Sequence, residues 1–229
     1  MIDLSMGRPQ RTDVGGYVYH VLNRANARTT IFNMDKDYQD FEQILFDAVE
    51  KFKMRLVAYT LMPNHFHLVL YPKYDGEIKK FMHWVTLTHT QRWHVNTKTI
   101  GYGHLYQGRY KSFLVESDSY LWVLLAYVER NALRAKLVKH LKDWKWSSYY
   151  KRLYGTSMQK KLLATDSVTW PDDYEKMLSL SEENEKLEII RNSINRGKPY
   201  GSNNWTNRVL KKFSLEITER KRGRPNKGS

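Results

Sequence analysis

Leu61-Met62-Pro63-Asn64-His65-Phe66-His67-Leu68-Val69-Leu70 is the stretch on which the reading of this chain turns. Pro63-Asn64 is a turn signal between two apolar runs, and the run before it, Arg55-Leu56-Val57-Ala58-Tyr59-Thr60-Leu61, has the composition of a strand. The two runs should therefore form a hairpin. On the second strand, residues two apart share a face, so His65 and His67 project together while Phe66 and Leu68 point to the other side. Two imidazoles on one face suit one metal ion.

Working outward, Tyr17-Val18-Tyr19-His20-Val21-Leu22 alternates like a strand after the Gly15-Gly16 turn signal. Residues 37–52 carry apolar side chains at Phe41, Ile44, Leu45, Ala48, Val49 and Phe52, which is helical spacing. A second helix is expected from Glu77 to about Trp93, with Phe81, Trp84, Val85 and Thr88 on one side. Residues 109–115 read as another strand, and Ser117 or Asp118 can cap a helix beginning near Tyr120. The order is strand, helix, strand, strand, helix, strand, helix. Its first six elements match the split βαβ pattern, which predicts an α+β protein with a ferredoxin-like antiparallel sheet and helices packed on it.

On the last of these helices, Leu121, Leu124, Leu125, Val128 and Ala132 form an apolar stripe that must face the sheet. Tyr120, Tyr127, Asn131 and Arg134 form an adjacent stripe at the border of core and solvent. Tyr127 and Asn131, four apart, share a helical face. A nucleophile, a metal ligand and a phosphate clamp would fit there together. Taken alone, the same pattern also suits a boundary tyrosine and an ordinary helix-end asparagine.

The chain has 38 Lys and Arg against 24 Asp and Glu, a formal charge of +14, which attracts a polyanion at long range. Aromatic residues make up 14%, so stacking platforms for bases are available. Cysteine is absent, which excludes disulfides and thiolate metal sites and fits a reducing compartment. Neither a charged-then-apolar leader nor a long apolar run is found. The expected location is therefore cytoplasmic, at the nucleoid of a bacterium, with no membrane contact.

Charge divides unevenly. Residues 1–165 hold 25 basic and 14 acidic residues (+11), residues 166–190 hold 2 and 8 (−6), and residues 207–229 hold 8 and 2 (+6). This suggests a basic body, bounded here at 1–154, a mostly helical acidic extension over 155–206 and a basic tail over 207–229. A helix over 205–215 and the tail would add grip on DNA. In the tail, Arg220-Lys221-Arg222-Gly223-Arg224-Pro225 resembles an AT-hook core, which places arginines in a narrow minor groove; a solvated terminus is the alternative.

Several ordered pieces together resemble a known family: Tyr19-His20-Val21 with Asn23-Arg24-Ala25-Asn26, the Pro63-Asn64-His65-Phe66-His67 run, Gly108-Arg109-Tyr110-Lys111-Ser112, Tyr127-Val128-Glu129-Arg130-Asn131, and Asp143-Trp144-Lys145-Trp146-Ser147-Ser148-Tyr149. The family is that of the REP-associated tyrosine transposases, within the HUH single-tyrosine transposases of bacterial insertion sequences. The resemblance covers roughly residues 15–150. It implies the HUH endonuclease fold, with His65 and His67 at the two histidine positions, Tyr127 at that of the catalytic tyrosine and Asn131 at that of the third, polar ligand. It further implies action on single-stranded DNA at hairpins through a 5′-phosphotyrosine link. Where relatives often read Asn-Pro, this chain reads Asn131-Ala132, which removes a proline constraint on the helix end.

The residues themselves argue the chemistry. A phosphodiester repels nucleophiles, so a divalent ion on a non-bridging oxygen supplies charge stabilisation and alignment. Nitrogen and oxygen ligands suit Mn²⁺ intrinsically and cellular abundance favours Mg²⁺, so either should serve. Arg24, Arg109, Lys111 and Arg134 are the expected DNA contacts. A monomer is favoured and a homodimer remains an alternative. Two other function classes stay open: a catalytically silent DNA-binding regulator of the same fold, and a metal-dependent hydrolase in which water attacks.

Overall fold

The computed structural model describes residues 11–117, 119–180 and 183–219. Strand β1 (Val18–Arg24) is followed by helix α1 (Asp35–Phe52), the hairpin β2 (Arg55–Met62) and β3 (His65–Tyr71), helix α2 (Glu77–Thr97) and strand β4 (Lys111–Val115). They form one four-stranded sheet in the order β2-β3-β1-β4, with every neighbouring pair antiparallel. The ferredoxin-like α+β architecture expected from the alternation of elements is the one observed.

The sheet separates two cores. On one face, Tyr19, Val21, Leu56, Tyr59, Leu61, Phe66, Leu68 and Leu70 pack against Phe41, Ile44 and Leu45 of α1 and Phe81, Met82 and Val85 of α2. On the other, Val18, Ala58, Val69, Phe113 and Val115 meet Leu121, Leu124, Leu125 and Val128. Those leucines belong to α3 (Ser119–Glu129), so the apolar stripe read along this helix does face the sheet.

The elements differ from expectation at their ends, where long-range bonds decide. β1 runs on to Arg24 because β3 continues beside it to His65, which puts Arg24 on a strand and not in the following loop. β4 starts at Lys111, so Arg109 lies in the loop before it. α3 stops at Glu129, and Asn131 and Arg134 belong to a separate short helix, α4 (Asn131–Arg134). The break comes without the proline of the family pattern, and Ala132 is buried. With α3 beginning at Ser119, the expected cap Asp118 lies outside the described residues, as does the Arg220–Pro225 segment.

Beyond these come α5 (Ser148–Tyr154), α6 (Ser157–Lys160), α7 (Tyr174–Ser179), α8 (Asn184–Arg196) and α9 (Asn203–Lys212), the last crossing the 206/207 charge boundary. Tyr200 pairs in parallel with Val115 at the outer edge of β4. Leu162, Val209, Leu210 and Leu215 enter the first core, and Tyr174, Leu178, Leu187 and Ile190 the second. No described helix is long and apolar enough to cross a membrane.

Candidate metal and nucleic-acid site

Strand register assembles the site. His65 and His67 lie opposite Arg24 and Leu22 on β1 and opposite Met62 and Thr60 on β2. Directly opposed residues share a face, so Arg24 joins the histidines. His20, opposite Val69, lies on that face as well, diagonal to His67. His20 is 0% and His67 4% exposed, whereas His65 is half-buried, so the site opens to solvent at its His65 end.

Both strand histidines are held through Nδ1. His65 Nδ1 lies 2.7 Å from Asn64 Oδ1, and Asn64 Nδ2 donates to the Arg28 carbonyl at 3.2 Å. The second bond fixes which way the amide points, so Oδ1 accepts and His65 carries its proton on Nδ1. Backbone bonds from Ala25 to the Asn64 carbonyl and from Ile31 and Phe32 to the Pro63 carbonyl hold this turn in place. His67 Nδ1 lies 2.8 Å from His20 Nε2. Each ring thus spends Nδ1 on the protein; the proton on His65 Nδ1 leaves its Nε2 as an acceptor, and no hydrogen bond is seen at Nε2 of His67 among the described residues.

Burial keeps these rings neutral. It lowers His20 to about 3, and it lowers His65 to about 4 with further help from the positive charges of Arg24 and Arg134. His67 is pushed well below the usual imidazole value by burial, then by its histidine neighbours and the same two arginines. Neutral imidazoles have the lone pair that a metal needs. Among the described residues no cluster of three His, Cys, Asp or Glu side chains forms a metal cage. The donors that are present fit an ion completing its shell with amide, water and phosphate oxygens.

Tyr127 is brought over this face by the end of α3. Its ring stands edge-on to His67 with centroids 6.0 Å apart, and edge-on to His20 at 6.5 Å. The last carbonyls of a helix have no partner within it. Here the carbonyl of Val128 accepts from Thr60 Oγ1 at 2.8 Å, and Thr60 is the cross-strand neighbour of His67. The carbonyl of Tyr127 accepts from Arg134 Nη2 at 3.0 Å, while the Arg134 guanidinium sits 4.1 Å from the centre of the tyrosine ring. Glu129 secures the same turn from behind: its buried carboxylate accepts from Ser148 Oγ at 2.6 Å, Arg152 Nη2 at 2.8 Å and Tyr174 Oη at 2.9 Å. Asn131, 8% exposed, opens α4, which packs on β2.

A cleft of about 560 Å³ lies along β4. Arg24, Arg109 and Lys111 all line it, joined by Arg11, Arg196 and Asn23. Arg134 is apart from it, beside Tyr127. The four expected DNA contacts therefore divide into three on the cleft and one at the tyrosine, with Arg24 reaching both regions through its effect on His65. Residues 194–197 with Leu215 and Thr218 supply part of the opposite wall.

Sequence reasoning assigned no chemistry to His20, Asn64, Thr60, Arg11 or Arg196. His20 was visible as the polar member of the Val18, His20, Leu22 face of β1, an imidazole on a core-facing stripe. That signal could have found it; nothing local indicates the others.

A family profile described as IS200-like transposase matches residues 13–131, more than half of the 229-residue chain. The chain belongs to the IS200-like transposase family. The region of this transposase that matches takes in all four strands, both strand histidines and Tyr127. Among solved structures it is similar to a REP-associated tyrosine transposase bound to a REP hairpin, with a TM-score of 0.54 and 14% identity over 78% of this chain and 96% of that one. At that identity the likeness is one of fold. A candidate transposase from Deinococcus radiodurans R1 (18% identity, TM-score 0.38, covering 62% of this chain and 98% of that one) overlaps too loosely to bear on the argument. The same holds for tRNA(His) guanylyltransferase from Saccharomyces cerevisiae (14% identity, TM-score 0.39, covering 79% and 80%). Comparison with curated protein sequences gives no significant match.

Proposed function

We propose that this IS200-like transposase is a metal-dependent endonuclease and strand transferase for single-stranded DNA, acting at hairpins of repeated extragenic palindromes. The observation that carries the reading is the Tyr127 ring standing over His67, on the face where His65 and His67 are both held through Nδ1. His65 Nε2, His67 Nε2 and the Asn131 amide oxygen would hold Mg²⁺ or Mn²⁺, which supplies charge stabilisation on a non-bridging phosphate oxygen. Arg24 and Arg134, whose charges already act on His65, orient the phosphate. Tyr127 Oη forms a bond to phosphorus as the bond to the 3′ oxygen breaks. The phenolic proton is accounted for on the departing 3′-hydroxyl, and the 5′-phosphotyrosine keeps the bond for rejoining.

The cleft along β4 is lined by cations from Arg11, Arg24, Arg109, Lys111 and Arg196, which favour the phosphates of an unpaired strand. On this reading the body over 1–154 carries the chemistry, while the 155–206 extension and the 207–229 tail add grip. Because Tyr127 faces the histidines of its own chain, a monomer suffices.

The deciding experiment incubates wild type and Tyr127→Phe with labelled hairpin DNA, in Mn²⁺ or EDTA, on a denaturing gel. A metal-dependent protein–DNA adduct from wild type alone is expected. Cleavage without an adduct that persists in the variant would point instead to a water-using hydrolase. Binding without cleavage on a panel of hairpins would point to a regulator.

A further inference from the structure

We propose that His20 is a positioning residue for the metal site: its Nε2 accepts the Nδ1–H of His67 and so turns the lone pair of His67 Nε2 toward the ion. The inference rests on the reading of His65 and His67 as metal ligands. A neutral imidazole has one donor and one acceptor nitrogen, so the His20–His67 bond, 2.8 Å long, has two possible arrangements. If His20 Nε2 donates, His67 carries its proton on Nε2 and cannot bind metal there. If His67 Nδ1 donates, His67 Nε2 is a ligand and His20 carries its proton on Nδ1. Only the second arrangement is compatible with the site.

Three observations support this role. His20 Nδ1 is buried without a hydrogen-bond partner among the described residues, so the ring spends its one bond on a ligand candidate and leaves its other polar atom unsatisfied. That is a poor way to gain stability, since an unpaired buried polar atom is destabilising. Secondly, the ring is fixed by packing, with Phe113 at 4.9 Å and the His67 ring at 5.0 Å between centroids. Thirdly, His65 Nδ1 is held by the neutral Asn64 amide oxygen, so both ligand candidates are engaged at Nδ1 by an uncharged side chain. Metal-binding histidines commonly have such an outer partner, often a carboxylate. A neutral acceptor here adds no negative charge to a site that must admit a phosphate.

The test measures Mn²⁺ affinity by the EPR signal of free ion, alongside thermal melts, for wild type, His20→Phe, His20→Gln and His65→Ala. His20→Phe should bind about 10–100-fold more weakly while remaining folded, and His20→Gln, whose amide oxygen can still accept, should recover most of the affinity. Histidine ¹⁵N spectra of wild type titrated with Zn²⁺ should show both His67 and His20 protonated on Nδ1. A bare Nδ1 and a protonated Nε2 on His20 in the zinc form would overturn the proposal. So would a folded His20→Phe that binds Mn²⁺ like wild type while His65→Ala does not. If wild type binds no Mn²⁺, or His65→Ala binds it equally, the metal reading itself has failed. Should His20→Phe not fold, His20→Gln and the wild-type spectra decide.

Discussion

Arg134 has two duties beside Tyr127 that can be separated. One is structural: its guanidinium donates to the tyrosine's own carbonyl at 3.0 Å, meeting a helix-end acceptor and placing a cation at a helix C-terminus. The other belongs to the proposed function: 4.1 Å from the centre of the phenol ring, its guanidinium would meet a phosphate brought to Tyr127. Arg134→Lys keeps the charge but lacks the planar fork that serves carbonyl and ring together. Calorimetry should show a loss of about 1 kcal/mol, and adduct formation should fall at least tenfold under single-turnover conditions. Unchanged cleavage would assign Arg134 to the helix end alone. At this scale the shared face of His65 and His67 and the place of Tyr127 at the helix border were legible because strand and helix periods are local, while their roles came from the resemblance. The pairing of Thr60, His20 and Arg24 with the histidines was not legible: it comes only through strand register, which no local pattern of the chain states.

The end of α3 shows how elements aim a side chain. Asn131 was expected to share one continuous helix with Tyr127, yet the helix stops at Glu129, where the Tyr127 and Val128 carbonyls accept from Arg134 and Thr60 side chains. Glu129 ties α3 to α5 through Ser148 and Arg152 and to α7 through Tyr174. Glu129→Gln should therefore cost about 3 kcal/mol by leaving Arg152 without its counter-charge. It should also lower cleavage more than hairpin affinity, because Tyr127 loses its seat while the cleft keeps its cations. Equal losses in both would mean general loosening. A second junction is His89 on α2, which meets Tyr106 Oη at 2.5 Å and stacks on Phe32. Burial lowers it to about 3 from an ordinary 6.5. Below pH 6.5 the unfolded chain takes up a proton that the folded one refuses, so stability is full above pH 6.5 and falls as pH drops toward 3. Urea titrations at pH 7 and pH 4.5 should show this difference, and His89→Phe should shrink it. The helix over 77–93 was legible from its apolar spacing, whereas its exposed last turn to Thr97 is closed by local bonds and its histidine junction depends on Tyr106 and Phe32 outside the helix.

At the scale of the whole molecule, charge segmentation misleads about independence. The acidic stretch and the basic tail suggest a body with appendages, and charge reports solvation more directly than it reports packing. Beneath that surface, the extension is built into the fold at three places. Tyr200 hydrogen-bonds across the edge of β4 through the Leu114 carbonyl and the Glu116 amide. At Gly201, an added Cβ would come within 2.6 Å of Trp205 and 2.8 Å of Glu116, so the chain can lie this close only with glycine there. Leu187 and Ile190, three apart on α8, and Val209 and Leu210 of α9 complete the cores on the two faces of the sheet. A chain cut after Tyr154 would expose the edge of β4 and strip apolar neighbours from both layers. An open edge strand beside uncovered apolar surface favours association. The truncated chain should thus bind a hydrophobic dye, melt without a sharp transition and sediment as aggregates. If it instead melts cooperatively and loses only hairpin affinity, residues 155–229 are a detachable DNA-gripping module, and the cleft wall they supply is an addition to a body complete without them.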